Sequence, residues 1–172
     1  MEVSFIGHSC FKIKGKNATI VFDPYSPEKV GFKLPKLEAD VVCVSHSHED
    51  HNNISGVKGV EEGKAPFVVL GPGEYDVKGV HVAGIRTFHD DKEGKERGIN
   101  TLYYCEIDGF FVLHLGDLGH ELSKEILEEF DRVDVLLIPV GGVYTIDAEK
   151  AVDIISEIEP SYVIPMHYQT EK

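Results

Sequence analysis

Val41-Val42-Cys43-Val44-Ser45 leads directly into His46-Ser47-His48-Glu49-Asp50-His51. The first five residues form a continuous apolar run of strand length, the pattern of a buried strand. In an extended segment residues i and i+2 point to the same side. His46 and His48 therefore face one cation together, and a turn beginning at Asp50 aims Asp50 and His51 at a second. Imidazole and carboxylate suit zinc, manganese, iron and nickel. Two such ions, about 3.5–4 Å apart, polarise a substrate and generate hydroxide at neutral pH. A solvated histidine-rich loop or a structural zinc is the competing reading. Three histidines and an aspartate within one short segment at a strand end weigh against it.

Outward from this segment the chain reads as alternating strands and turns. Residues 3–6 and 10–14 flank Gly7-His8-Ser9, and Gly15-Lys16-Asn17 turns the chain into a strand at 18–22. A loop of about 18 residues with Pro24, Pro27 and Pro35 follows, a length that usually marks a lid or binding loop. Strands are expected at 67–70, 81–88, 101–107 and 110–115, with Asp108-Gly109 as a two-residue hairpin turn. Ser123 caps a helix through Phe130, and 135–138 is a buried strand. Asp147 caps a helix through Ile158, whose Ala151, Ile154, Ile155 and Ile158 recur at i, i+3, i+4, i+7. Pro160 stops it before a last short strand at 162–164. Strands from both halves with helices between them imply a layered α/β protein with two sheets. With no linker, repeat or shift in composition, residues 1–172 read as one domain.

The chain has 172 residues, 42 % of them hydrophobic, and 17 Lys+Arg against 30 Asp+Glu give a net charge of −13. That balance argues against electrostatic binding to nucleic acid or anionic lipid, both of which need a basic face. No apolar run approaches the roughly 18 residues of a membrane span. No basic segment followed by an apolar core opens the chain as a secretory signal would. Cys10, Cys43 and Cys105 form no CxxC pair and no disulfide framework, so a reducing cytoplasm is the expected setting.

The His-x-His-x-Asp-His segment after an apolar strand resembles the signature of the metallo-β-lactamase superfamily. Other elements match in order: His89 in Thr87-Phe88-His89-Asp90, Asp117 in Leu115-Gly116-Asp117, and His167 in Ile164-Pro165-Met166-His167. The resemblance runs from about Met1 to Tyr168. It implies an αββα sandwich of two mixed β-sheets with helices on the outer faces and metals between the sheets at one edge. Carried over by position, it implies a first metal on His46, His48 and His89, and a second on Asp50, His51 and His167, with Asp117 bridging. Zinc heads the candidates, followed by manganese, nickel and iron. Gly7-His8-Ser9-Cys10-Phe11, Asp23-Pro24-Tyr25, Gly116-Asp117-Leu118-Gly119-His120 and Pro139-Val140-Gly141-Gly142 are similar to the compact branch that includes ascorbate-6-phosphate lactonase-like proteins. Branches that cut nucleic acid carry a large inserted domain for which this length leaves no room.

The function expected from this reading is a metal-dependent hydrolase. A hydroxide on two metals acts on a small, anionic ester, lactone or phosphodiester, with a small molecule as partner and no nucleic acid or membrane. A metal sensor, buffer or redox module is the alternative, and a nuclease ranks lower. Asp50 orients the hydroxide and exchanges a proton with it. In the superfamily the hairpin that His8 occupies lies near the mouth of the site, so His8 is expected to donate to an oxyanion or protonate a leaving group. Asp23 matches a family aspartate that holds a metal-bound histidine through a hydrogen bond. His114, on an apolar strand, reads as a core residue, and His120 as a surface one. The run from Asp90 to Arg97 reads as a solvated loop, with Arg97 a cation at the rim.

Overall fold

The computed structural model describes residues 1–170. The chain begins with β1 (Glu2–Gly7), β2 (Cys10–Lys14) and β3 (Thr19–Phe22), then a helical turn α1 (Pro27–Val30). Next come β4 (Leu37–Ala39), β5 (Val41–Cys43), β6 (Val57–Gly59), β7 (Phe67–Val69) and β8 (Gly73–Val77). The second half holds β9 (Val80–Phe88), β10 (Ile99–Ile107), β11 (Phe110–His114), α2 (Lys124–Leu127), β12 (Val135–Pro139), α3 (Ala148–Ile158) and β13 (Tyr162–Met166).

These strands make two main sheets. One has five strands in the order β1-β2-β3-β5-β7, the other six in the order β13-β12-β11-β10-β9-β8, and β4 and β6 form a separate ribbon. The sheets bury one face against each other. Phe11, Ile13, Ile20, Phe22, Val41 and Cys43 from the first meet Val82, Tyr103, Cys105, Val112, Val135 and Leu137 from the second. The continuous apolar runs follow from burial on both faces. In β12, Val135 and Leu137 face the other sheet, whereas Leu136 and Ile138 pack under α3 against Ala151 and Ile154. In β5, Val41 and Cys43 face inward while Val42 packs outward with Tyr25, Leu37 and Val57.

The helical layers are thin. On the six-stranded sheet α3 is a full helix, capped by the Asp147 carboxylate, which accepts from the Lys150 N–H at 2.9 Å. It ends where Glu159 turns left-handed, at φ 50°. The helix expected from Ser123 to Phe130 is a single turn instead. Acidic Glu128 and Glu129 stand where a helix C-terminus favours cations, and Phe130 turns aside to pack on Tyr104, ring centroids 5.2 Å apart. On the five-stranded sheet α1 is also one turn. Pro24, Pro27, Gly31 and Pro35 prevent a longer helix there, and the β4–β6 ribbon completes the cover. The strand β8 and the β4–β6 ribbon are additions to the elements expected from the sequence. Asp108 (φ 56°) and Gly109 (φ 79°) adopt the left-handed pair of a type I′ turn. Among the described residues no helix is long and apolar enough to cross a membrane.

Topology decides where the site falls. In the first sheet β3 and β5 are parallel. In the second, β9 and β11 each run antiparallel to β10, and β11, β12 and β13 are parallel. Hence β9, β11 and β13 all point the same way. Phe22, Cys43, Phe88, His114 and Met166, the last residues of β3, β5, β9, β11 and β13, directly precede the loops that carry Asp23, His46, His89, Asp117 and His167.

Candidate metal centre

The first half of the centre is built around Asp23, which leaves β3 in a left-handed conformation (φ 43°) and is fully buried. Its carboxylate accepts three hydrogen bonds: from the Ser45 N–H at 2.7 Å, the Ser45 hydroxyl at 2.6 Å and His51 Nδ1 at 2.9 Å. Burial raises the pKa of Asp23, but His51 outweighs it and the carboxyl stays below its usual range. Because the Ser45 hydroxyl donates to Asp23, its oxygen is free to accept from His46 Nδ1, 2.9 Å away. Both imidazoles thus commit Nδ1–H to this network and turn Nε2 the other way. His46 Nε2 and His51 Nε2 are buried and have no hydrogen-bond partner.

They converge on Asp117. Its Oδ2 lies 3.2 Å from Nε2 of each of His51, His89 and His167, and 3.8 Å from His46 Nε2. Asp117 is held from behind: its N–H donates to Asn100 Oδ1 at 2.9 Å, while the Asn100 amide donates to Thr87 Oγ1 and the Leu115 carbonyl. Gly116 is left-handed (φ 55°), and a Cβ there would stand 2.6 Å from the Ser45 Cβ, so no larger residue fits between the two loops. Burial opposes charge on His51, yet Asp117 and Asp23 override it and raise its pKa well above the ordinary value. With Nδ1–H given to Asp23, Nε2 is where a positive charge is taken up, whether proton or metal.

His89 follows β9, and its N–H donates to the Gly98 carbonyl. The loop between them is more ordered than a solvated run. Asp90 is buried, and its carboxylate accepts from four backbone N–H groups: Lys92 and Gly94 at 2.8 Å, Glu96 at 3.0 Å and Arg97 at 2.7 Å. His167 follows β13 with φ 50°, and its N–H donates to the His8 carbonyl at 3.0 Å. His8 is itself left-handed (φ 56°) at the tip of the β1–β2 hairpin. Its Nε2 lies 3.2 Å from Asp50 Oδ2, and its ring lies 4.1 Å from that of His167 and 4.9 Å from that of His51. Left-handed non-glycine residues cost of order 1–3 kcal/mol each and gather at functional sites; His8, Asp23 and His167 are three of them.

All the residues expected at the site fall within this cluster. Their ligand-type atoms form three overlapping groups: His46, His48 and His89; His46, His51 and Asp117; and His8, Asp50, His51 and His167. Ligands about 2.0–2.1 Å from a tetrahedral cation stand about 3.3 Å from one another, which matches the 3.2 Å approaches to Asp117. The unpartnered nitrogens of His46 and His51 and the unpartnered Oδ1 of Asp117 have the chemistry a divalent cation needs. His114 stays apart, fully buried and stacked on Phe22; its Nε2–H donates to the Ser9 carbonyl and its Nδ1 accepts from the Gly116 N–H. His120 accepts from the Phe88 N–H beside His89. The bracing roles of Ser45 and Asn100 had no sequence signal beyond the residue types. For Asp90 the signal was an aspartate opening a glycine-containing loop.

Comparisons with known proteins give the family and the fold. The family model described as "Beta-lactamase superfamily domain" matches residues 2–167. A UPF0173 metal-dependent hydrolase of Methanoculleus marisnigri is 32 % identical, over 99 % of this chain and 82 % of that protein. One from Thermoplasma acidophilum is 30 % identical, over 99 % and 84 %. Among solved structures, a candidate Zn-dependent hydrolase of the metallo-beta-lactamase superfamily from Thermotoga maritima aligns with a TM-score of 0.80 and 39 % identity, over 98 % of this chain and 76 % of that one. With its two-sheet sandwich and the cluster at one edge, the chain belongs to the beta-lactamase superfamily domain family, and within it to the UPF0173 metal-dependent hydrolases.

Proposed function

We propose that the protein hydrolyses a small-molecule ester, lactone or phosphodiester with the help of two divalent cations, zinc foremost. The observation that carries this is the meeting of three imidazole nitrogens at 3.2 Å on one buried oxygen of Asp117. His46, His48 and His89 would hold one cation, Asp50, His51 and His167 the other, and Asp117 both. Such ions, when bound, polarise the electrophile and supply a hydroxide nucleophile at neutral pH.

The protein's own groups have distinct tasks. Asp23 holds His51 directly and His46 through Ser45, which fixes both tautomers. Asp50 is the partly exposed carboxylate of the cluster, 3.7 Å from His51 Nε2. It is placed to orient the attacking water and take its proton. His8 shares a hydrogen bond with Asp50. Burial lowers its pKa by more than Asp50 raises it, so at neutral pH it is uncharged, and its single N–H, given to Asp50 here, is the one that would turn to a developing oxyanion or a departing alkoxide.

A small molecule is favoured over nucleic acid because the net charge is −13. Three free, buried cysteines suit a reducing, cytoplasmic setting. The test is elemental analysis of protein purified without added metal and again after saturation, followed by a panel of lactones, esters and phosphodiesters with each metal. Two metals per chain with metal-dependent turnover are expected. Asp50→Ala should abolish turnover, by about 10²-fold at the least, while one metal stays on His46, His48 and His89. Metal binding with no turnover on any member would return the protein to the sensor or buffer reading.

A further inference from the structure

His8, Asp50 and His167 line one part of a cleft of about 590 Å³, a size typical of pockets that enclose a whole small molecule. A bare phosphoryl or carboxyl group would leave most of it empty. The remaining side chains that line it are mainly apolar: Phe5, Val30, Phe32, Val143, Tyr144 and Tyr168 among them. Phe5, Phe32, Val143, Tyr144 and Tyr168 are 39 to 63 % exposed, an apolar surface gathered at the metal residues rather than scattered.

Charge points the same way. Among the described residues that line the cleft the one Lys or Arg is Lys29, and its ammonium lies 2.6 Å from the Glu49 carboxylate. Arg97, the cation expected at the rim, lies over the Tyr144 ring at 5.3 Å. Asp50 adds a negative charge at the polar end. Within the lining, a substrate anion beyond the reacting group would meet only Lys29, already paired, while Arg97 stands outside the lining on the Tyr144 ring.

We propose that the cleft selects an ester or lactone whose scissile carbonyl sits at the His8–Asp50–His167 end and whose apolar arm, an alkyl chain or aryl group, lies along Phe5, Phe32, Val143 and Tyr144. This rests on the hydrolase reading above and replaces the compact anionic substrate expected from the sequence. The step is ester plus water to carboxylic acid plus alcohol. The water oxygen bonds to the acyl carbon. The acyl carbon–oxygen bond breaks with its electron pair on the departing oxygen, and a water proton ends on that oxygen. The product that keeps the chain is a carboxylate, so binding of alkanoates tests the cleft without turnover.

The experiment uses metal-loaded full-length protein with p-nitrophenyl esters from acetate to decanoate, γ-lactones of rising side-chain length and bis-p-nitrophenyl phosphate. Calorimetric titration with alkanoates of the same lengths runs in parallel. A buried methylene contributes about 0.8 kcal/mol on full transfer, so kcat/KM and alkanoate affinity should rise about two- to fourfold per added methylene until the cleft is filled. Phe32→Ser and Val143→Ser, at exposed positions where folding is not at stake, should flatten both slopes while metal content stays the same. Turnover that ignores chain length, or is fastest with the phosphodiester, overturns this proposal and leaves the hydrolase reading standing. No turnover, but alkanoate affinity that climbs with length, keeps the apolar cleft and removes the hydrolase reading. Absent both, the cleft proposal fails. It also fails if sedimentation shows a dimer that Phe32→Ser dissolves and no chain-length dependence appears, because a second copy would then be what covers the patch.

Discussion

At the scale of single residues, the centre depends on where protons sit. Ser45 shows this best. Its hydroxyl can donate once; it donates to Asp23, and its oxygen then accepts from His46 Nδ1. Ser45→Ala removes the acceptor that fixes the His46 tautomer and leaves one Asp23 oxygen with fewer donors. Partners of metal-binding histidines are worth about 10–100-fold in metal affinity, so Ser45→Ala should weaken the metal proposed on His46, His48 and His89 by that factor and Ser45→Thr should restore it. Competition with a chromophoric chelator reads both. His8 belongs to the same scale. It touches Asp50 and its ring lies 4.1 Å from that of His167, so His8→Ala should lower kcat by about 10²-fold, the lower range for a lost acid or hydrogen-bond donor, with metal stoichiometry unchanged. A variant with wild-type kinetics would make His8 a turn residue only. The His46–His51 segment was legible from its own spacing at a strand end, whereas His89, Asp117 and His167 are singled out only through the family resemblance. Ser45 and Asn100 were legible neither way, since a serine or asparagine announces no partner. The donor and acceptor pattern that gives them a task exists only once β5 lies beside β3 and β10, which carries Asn100, lies between β9 and β11.

At the scale of elements, the clearest case is the segment from His89 to Gly98. Its charges suggested a solvated loop, and most of its side chains are indeed exposed. Beside the buried His89 the exception is Asp90, whose four backbone acceptor bonds wind the loop around one carboxylate. Burial raises the Asp90 pKa, the four N–H groups outweigh it, and the result is about 2. The unfolded value is about 3.9. A folded pKa below the unfolded one stabilises the loop above pH 4, and that support is lost as pH falls toward 2. In metal-free protein, amide exchange at Gly94, Glu96 and Arg97 should therefore accelerate, relative to the intrinsic rate at each pH, below about pH 4. Asp90→Asn should show the same acceleration at neutral pH, with lower metal occupancy through His89. Unchanged protection in Asp90→Asn would mean the loop is held by other contacts. Elements with strong local signals were legible: Asp108-Gly109 specifies its own turn, and the Ala151, Ile154, Ile155, Ile158 stripe specifies α3. The three-residue strands β4 and β6 were not, because so short a run has no period to read. Nor was β8, where Gly73, Glu74 and Asp76 lower β propensity and pairing with β9 alone supplies the strand.

At the scale of the whole molecule, the ligand-type groups come from both sheets. His46, His48, Asp50 and His51 follow β5 of the first sheet, whereas His89, Asp117 and His167 follow strands of the second. A cation held among them ties the two halves of the sandwich together at one edge. It binds the folded chain and has no assembled site in the unfolded one, so it must raise stability by mass action. At a hundred times the dissociation constant the gain is about 2.7 kcal/mol. At this size each kcal/mol moves the melting temperature by about 2–4 °C, so saturation should raise it by about 5–11 °C per tightly held metal. The two proposed metal sites should also differ. His167→Ala removes a group expected to serve the second, and should reduce the total shift without abolishing it, whereas His46→Ala, at the meeting point of two of the ligand groups, should abolish most of it. Bound imidazoles must be deprotonated, so protons compete with the metal, and at fixed metal concentration the shift should shrink as pH falls below about 6.5. Scanning calorimetry with and without a chelator, at pH 7.5 and pH 5.5, measures every part of this. Equal melting temperatures for metal-saturated and chelated protein at pH 7.5 would mean that no cation bridges the two sheets, however well the side chains converge.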